Sequence, residues 1–190
     1  DGNGRWAQER GLPRSEGHRQ GSKTTYNTIL ELSDRGLDTL SLFVFSVENF
    51  QREPQEVHFL LEELIPTTLS TFIPTMLERG IRFRLMGEYD ALPEKLMCVA
   101  HDAMKQTAGG YGMRLNLAVG YSGRREILHA LRRTVQAIGL DGLNQVDEVT
   151  FARHLYTGDL PDPDLYIRCG CHNRISNFML WQMAYTELYP

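Results

Sequence analysis

The stretch Leu40-Ser41-Leu42-Phe43-Val44-Phe45-Ser46-Val47-Glu48-Asn49-Phe50-Gln51-Arg52 decides the fold class. Residues 40–45 form an apolar run of strand length, the pattern of a parallel strand covered on both faces. The run empties into the polar cluster 46–52, and ligands of open parallel sheets bind beyond the carboxyl ends of strands. Working outward, apolar spacing predicts helices over 20–35, 54–79 and 92–107. Pro66 and Pro74 are expected to kink or interrupt the second of these. Strands are predicted over 81–85, ending at Gly87, and over 113–119, which empties into Gly120-Tyr121-Ser122-Gly123-Arg124. Beyond it the spacing of Ile127, Leu128, Leu131, Val135 and Ile138 predicts a helix. A short helix over 148–156, a short strand over 165–168 and an apolar helix over 177–185 follow. Strand alternating with helix argues an α/β fold, a mostly parallel central sheet with helices on both faces. No repeat, low-complexity segment or linker interrupts residues 1–190, so a single domain is expected.

Composition narrows the function classes. The 190 residues are 42% hydrophobic and 23% charged, ordinary for a globular domain. A net charge of -4 disfavours a general nucleic-acid surface. No apolar run approaches the roughly 18 residues of a membrane span. Three cysteines, Cys98, Cys169 and Cys171, make no disulfide framework, which points to a reducing cytoplasm. An α/β fold would want a hydrophobic strand just before Asp1, so the chain is expected to be trimmed in front, and at its tail.

The richest chemistry lies at the start: Asp1-Gly2-Asn3-Gly4-Arg5-Trp6, then Arg10, Arg14, Gly17, His18 and Arg19. Glycines let backbone N–H groups approach an anion, and arginines supply forked donors for phosphate oxygens. Asp1 beside such a nest makes sense with a bridging divalent cation. The bland alternative is a turn, an N-cap and a solvated basic helix. The strand-end rule would gather 1–5, 46–52, Gly87, 120–124 and 168–176 at one rim, an anion site with a metal. The alternative for Arg52, Arg124 and Arg168 is plain surface charge. P-loop, G-x-G-x-x-G, His-Glu-x-x-His and D-D-x-x-D patterns are absent. Leu40, Leu42, Val44, Phe59 and Leu60 are candidates to line an apolar tunnel, or are ordinary core.

Asp1-Gly2-Asn3-Gly4-Arg5-Trp6-Ala7 with Gly17-His18 resembles the signature of the cis-prenyltransferase, or undecaprenyl diphosphate synthase, family. The resemblance recurs in order at Phe45–Phe50, Gly120–Arg124, Pro161–Leu165, Ile167-Arg168, Arg174–Phe178, Leu180–Gln182 and Tyr185–Tyr189. It implies condensation of an allylic diphosphate with isopentenyl diphosphate, using Mg²⁺. By this resemblance Asp1 holds the metal, and the Gly2–Arg5 amides with Arg5 and Arg14 cradle the allylic diphosphate. Asn3, Gly4, Trp6, His18 and Arg52 belong to the same substrate site. Arg168, Arg174 and Ser176 match the second diphosphate's binders, while Ser46 and Asn49 are candidates for the proton relay. Glu187 matches a metal-linked acid that reaches into a neighbouring subunit's site, which implies a homodimer. Peripheral membrane contact is implied only for a long product.

One segment departs from the family pattern. After Ile167-Arg168 the family usually shows Thr-Ser-Gly-Glu or Thr-Gly-Gly-Glu, and this chain reads Cys169-Gly170-Cys171-His172-Asn173. Cys169, Cys171 and His172 could ligate zinc, but they are crowded and lack an obvious fourth ligand, so a tolerated loop variant is the plainer reading. The departure leaves open an irregular head-to-middle coupling of two allylic diphosphates to a branched, lavandulyl-type product. A non-catalytic partner subunit is the remaining alternative; such partners lack the metal Asp and the phosphate arginines, which this chain retains.

Overall fold

The computed structural model describes residues 2–170 and 172–189. The chain divides into two compact units, one of residues 2–120 and one of residues 121–190.

The first unit opens with helix α1 (Asn3–Gln8) and helix α2 (Arg14–Asp34). α2 begins six residues before the predicted start because Pro13, with φ -60° and ψ 148°, sets its entry. Its first turns carry no apolar stripe, so periodicity alone could not see them. Strand β1 (Thr39–Ser46) follows, then a 3₁₀ turn (Val47–Gln51) and helix α3 (Pro54–His58). A π-helical segment (Phe59–Leu64) leads into α4 (Ile65–Glu78), so the expected disturbance takes the form of a widened turn. Pro66 lacks an N–H and its ring crowds the carbonyl four residues back, which a π turn relieves. Pro74 lies inside α4 without ending it.

Strand β2 (Arg82–Met86), helix α5 (Glu94–Gln106) and strand β3 (Arg114–Tyr121) complete the sheet, in the order β1-β3-β2. β2 and β3 pair in parallel from Arg82 opposite Arg114 to Met86 opposite Ala118. The core joins Ile29 of α2, Phe45 of β1, Leu60 and Leu61, Leu69 and Phe72 of α4, Phe83, Leu85, Leu115, and Leu96 and Ala100 of α5. Burying such side chains is worth about 1.5–3 kcal/mol each. β1 is not covered on both faces as its apolar run suggested. Only Phe45 of β1 is buried and Val44 is 38% exposed; among the described residues β1 pairs with β3 on one side.

The second unit holds helix α6 (Gly123–Ile138), helix α7 (Glu148–Ala152), and strands β4 (Leu165–Ile167) and β5 (Glu187–Tyr189). β4 and β5 pair in parallel, Leu165 opposite Glu187, as a separate two-stranded sheet; β5 was not predicted. α6 lies where its stripe placed it, but buries another face. Gly123, Glu126, Ala130 and Thr134 are inside, while Leu128, Leu131 and Ile138 are exposed. The predicted helix over 177–185 does not form; the segment is a series of turns. Ser176, Asn177 and Met179 have φ of 52°, 65° and 42°, left-handed values at which a right-handed helix cannot propagate.

Candidate functional site

A carboxylate that sequence reading missed organises the basic residues of the first unit. Glu56, in α3, accepts from Arg14 Nε at 3.0 Å, His18 Nε2 at 3.0 Å and Arg52 Nη1 at 2.9 Å. Its side chain is 10% exposed and that of His18 is 9% exposed. The cue in the sequence was the spacing of Arg52 and Glu56, four apart across the start of α3. Burial pushes the Glu56 carboxyl up, but the His18 hydrogen bond and the Arg14 and Arg52 charges outweigh it and hold it below the usual value. Burial, aided by the charges of Arg52 and Arg14, lowers the His18 imidazole despite its bond to Glu56. A neutral imidazole donating from Nε2 to an ionised carboxylate satisfies both shifts. Two guanidiniums against one carboxylate leave the cluster with excess positive charge, suited to an anion.

The opening motif packs directly onto this cluster. Gly2 precedes α1 with φ 82°, a left-handed conformation that favours glycine. A Cβ on Gly4 would meet Arg14 Cζ at 3.0 Å, so the guanidinium lies against bare backbone. Asn3 is wedged against α2: a Cβ on Gly17 would fall 2.0 Å from the Asn3 carbonyl oxygen, and one on Gly21 would fall 2.3 Å from Asn3 Nδ2. Arg5 is exposed, and Trp6 is half-buried beneath the Arg10 guanidinium, 4.5 Å from its ring centre. Asp1 and Cys171 lie outside the described residues.

Ser46 and Asn49 do come together. The Ser46 N–H donates to Asn49 Oδ1 at 3.1 Å in a reciprocal cap of the 3₁₀ turn. The Phe50 ring packs edge-on to Phe45 at 5.0 Å. Of the proposed tunnel residues, Leu60 is buried, Leu40, Leu42 and Phe59 flank the core, and Val44 is exposed.

In the second unit Arg168 Nη1 donates to Ser176 Oγ at 2.7 Å and to the Arg174 carbonyl. Arg174 thus contributes its backbone here, and its residue is exposed. Glu187 is exposed on β5, its N–H bonded to the Asp164 carbonyl at 3.0 Å. Cys98 and Cys169 are free thiols. Among the described residues no group of three or more His, Cys, Asp and Glu side chains could hold a metal. No helix among them is long and apolar enough to cross a membrane.

Known proteins carry the same pattern along the whole chain. The model of the prenyltransferase family described as undecaprenyl diphosphate synthase matches residues 1–190. An isoprenyl transferase of Oceanobacillus iheyensis is 42% identical over 191 residues, covering 100% of this chain and 75% of the relative. That of Bacillus subtilis is 40% identical over 189 residues, covering 98% and 72%. Among solved structures, lavandulyl diphosphate synthase from Lavandula x intermedia, in complex with dimethylallyl diphosphate, superimposes with a TM-score of 0.88. It is 33% identical and is matched over 100% of this chain and 82% of its own. A probable undecaprenyl diphosphate synthase from Campylobacter jejuni gives a TM-score of 0.79 at 29% identity, over 90% and 78%. With its α/β fold, its parallel sheet and a family match from first residue to last, this chain belongs to the undecaprenyl diphosphate synthase family of prenyltransferases.

Proposed function

We propose that the protein is a Mg²⁺-dependent cis-prenyltransferase, condensing an allylic diphosphate with isopentenyl diphosphate and releasing diphosphate. The observation that carries this reading is the Arg14 guanidinium, held by Glu56 against the bare backbone of Gly4. A side chain at Gly4 would fill the space where backbone and guanidinium can grip one diphosphate. Mg²⁺ is usually held by one or two carboxylates plus substrate phosphates rather than by a protein cage. Asp1 would hold it in this way. Bound Mg²⁺ would neutralise charge on the departing diphosphate.

The remaining roles fall to the chain's own side chains. Arg5 and Arg14 bind the allylic diphosphate, with Gly2, Asn3, Gly4, Trp6, His18 and Arg52 shaping its pocket. Arg168, Arg174 and Ser176 bind the second diphosphate. Ser46 and Asn49, already hydrogen-bonded, orient a polar pair for proton removal after carbon–carbon bond formation. A homodimer is part of this reading. Exposed apolar side chains at Leu128 and Leu131 of α6 and at Leu165 and Leu188 of the small sheet support it, and Glu187 would reach the partner's site. A reducing cytoplasm is the proposed location, in keeping with two exposed free thiols.

A second reading, head-to-middle coupling of two allylic diphosphates, is favoured by the similarity to lavandulyl diphosphate synthase and by the altered loop after Arg168. Incubation with dimethylallyl, geranyl or farnesyl diphosphate, with and without isopentenyl diphosphate and chelator, tests both. Mass spectrometry should show chelator-sensitive products that contain isopentenyl units. Products formed from dimethylallyl diphosphate alone would select the second reading, and no condensation under any condition would reject both.

A further inference from the structure

We propose that the cleft between α3 and the connection from β2 to α5 is an effector site for an amphipathic anion, an apolar chain carrying a phosphate or carboxylate head. The inference rests on the reading of Arg52 as part of the allylic-diphosphate pocket. The cleft has a volume of about 340 Å³, at the lower end of the roughly 300–1,000 Å³ of small-molecule pockets. Its walls are apolar: Phe50 from the 3₁₀ turn after β1, Val57 and Leu61 on the helix, and Ala91 and Pro93 from the connection. Ala91 ends a 3₁₀ turn (Tyr89–Ala91), and Pro93 caps the start of α5. Leu61 is 2% exposed and Val57 packs against the core, so the floor is already formed. Arg52, His58 and Glu62 are its polar lining.

The helix turns different faces to the two sites. Glu56 meets His18 at 3.0 Å, and Phe59 lies 4.9 Å beneath the Arg19 guanidinium, so both face α2. Val57, His58 and Leu61 stand on the other side of the same helix. Among the described residues, Gly4, Arg14 and His18 do not line the cleft, so a ligand there leaves them open to substrate. Arg52 belongs to both sites. Its Nη1 bonds Glu56 Oε1 at 2.9 Å, and that oxygen also meets His18, while Arg14 Nε holds Oε2 at 3.0 Å. An anionic head in the cleft draws the Arg52 guanidinium away, leaves Oε1 to His18 and loosens the set of Arg14. An anion fits this lining because the guanidinium keeps its charge at any working pH and shares its carboxylate with a second arginine. Glu62 is the opposing carboxylate on the rim. The apolar walls suit a hydrocarbon chain. Leu61 and Glu62 also lie in the π-helical segment, a distortion frequent at functional sites.

The test uses the full chain with geranyl phosphate, decanoate and uncharged geraniol. Initial rates are measured against allylic diphosphate at rising concentrations of each, and binding is followed by calorimetry. Geranyl phosphate or decanoate should raise the allylic KM about fivefold or more and then level off, the mark of coupling between two sites. The tighter of the two names the source of the anion, a prenyl phosphate or a fatty acid. Geraniol should act about tenfold more weakly, having no charge for Arg52. Ala91→Phe fills the cleft from an exposed position and should abolish binding and effect with basal kinetics unchanged. His58→Glu, also at an exposed position, adds a carboxylate to the rim and should weaken the charged compounds about threefold, which keeps the test sharp if Ala91→Phe folds poorly. The proposal is overturned if neither anion acts, if the KM climbs without levelling and does so alike in Ala91→Phe, or if geraniol acts as strongly. If the wild type forms no condensation product, the functional reading fails separately. Calorimetry then decides the cleft alone: binding lost in Ala91→Phe supports it, and equal binding or none overturns it.

Discussion

His18 of α2 and Glu56 of α3, 38 positions apart in the chain, meet at 3.0 Å and are both almost out of solvent. Arg14 and Arg52 close on the same carboxylate from either side. The four side chains bind the opening helices to the polar end of β1, so the site's charge and the fold's integrity depend on one another.

Acid should loosen this joint in two stages. The His18 pKa is lowered on folding from its ordinary 6.5, so the unfolded chain binds the proton more readily, and stability falls as pH drops below 6.5. The Glu56 pKa is lowered from 4.5, so its contribution, full above that value, is lost as pH falls through the folded pKa. Melting temperature followed against pH should decline across both windows. His18→Gln should remove the upper stage, and an unchanged profile in that variant would assign it elsewhere.

Glu56→Gln should weaken catalysis more than it weakens the fold. It keeps the shape but loses a charge shared by two arginines, and hydrogen bonds to charged groups are worth about 1.5–3 kcal/mol. Partial exposure of Arg14 and Arg52 discounts this towards the lower end. A fall in kcat/KM of about tenfold is expected. Unchanged kcat/KM would show that the arginines orient themselves without the carboxylate.

Gly17→Ala should be far more damaging than Gly21→Ala. The first places a methyl 2.0 Å from the Asn3 backbone oxygen, and the second places one against the tip of the Asn3 side chain, which can turn away. Overpacking of this kind costs about 1–3 kcal/mol. Thermal melts and activity of the two variants check the order. Equal effects would mean that α1 moves freely on α2.

The two proposed diphosphate subsites should separate kinetically. Arg14→Ala should raise the allylic KM, and Arg168→Ala should raise that of isopentenyl diphosphate. Truncating one partner of a buried charge pair costs about 2–5 kcal/mol, and partial exposure here moves the expectation to the low end. If each variant weakens both substrates equally, one shared basic patch replaces the two-subsite map.

The loop after Arg168 should bear on acceptor choice. His172→Glu combined with Cys171→Gly restores the family pattern and should move reactivity towards isopentenyl diphosphate. The unaltered protein is expected to make a short or branched product, read by mass spectrometry. Efficient synthesis of a long linear chain, or no effect of the double change, would leave the loop without a role in acceptor choice.

The α/β class, the three sheet strands and the order of the helices were legible in the sequence. The run 40–45 marks a strand, and the alternation of Phe83 and Leu85 with charged neighbours reports which face of a local hydrogen-bonded ladder meets the core. The motifs at 2–18 and 168–176 were legible too, because glycine and arginine carry their chemistry with them. Glu56 was not, because a single acid gains its meaning only when α2 and the turn before α3 bring two guanidiniums and an imidazole onto it. The stripe of α6 misled for a related reason. Periodicity marks an apolar face, but Glu126 and Thr134 are buried because polar partners and backbone acceptors await them there. Residues 177–185 read as a helix by apolar content, yet three left-handed residues turn the chain back to the start of α6. Composition and spacing marked the sheet strands and most of the helices. Tertiary packing decided which polar groups meet, because a hydrogen bond across some forty or fifty residues depends on geometry that no local pattern carries.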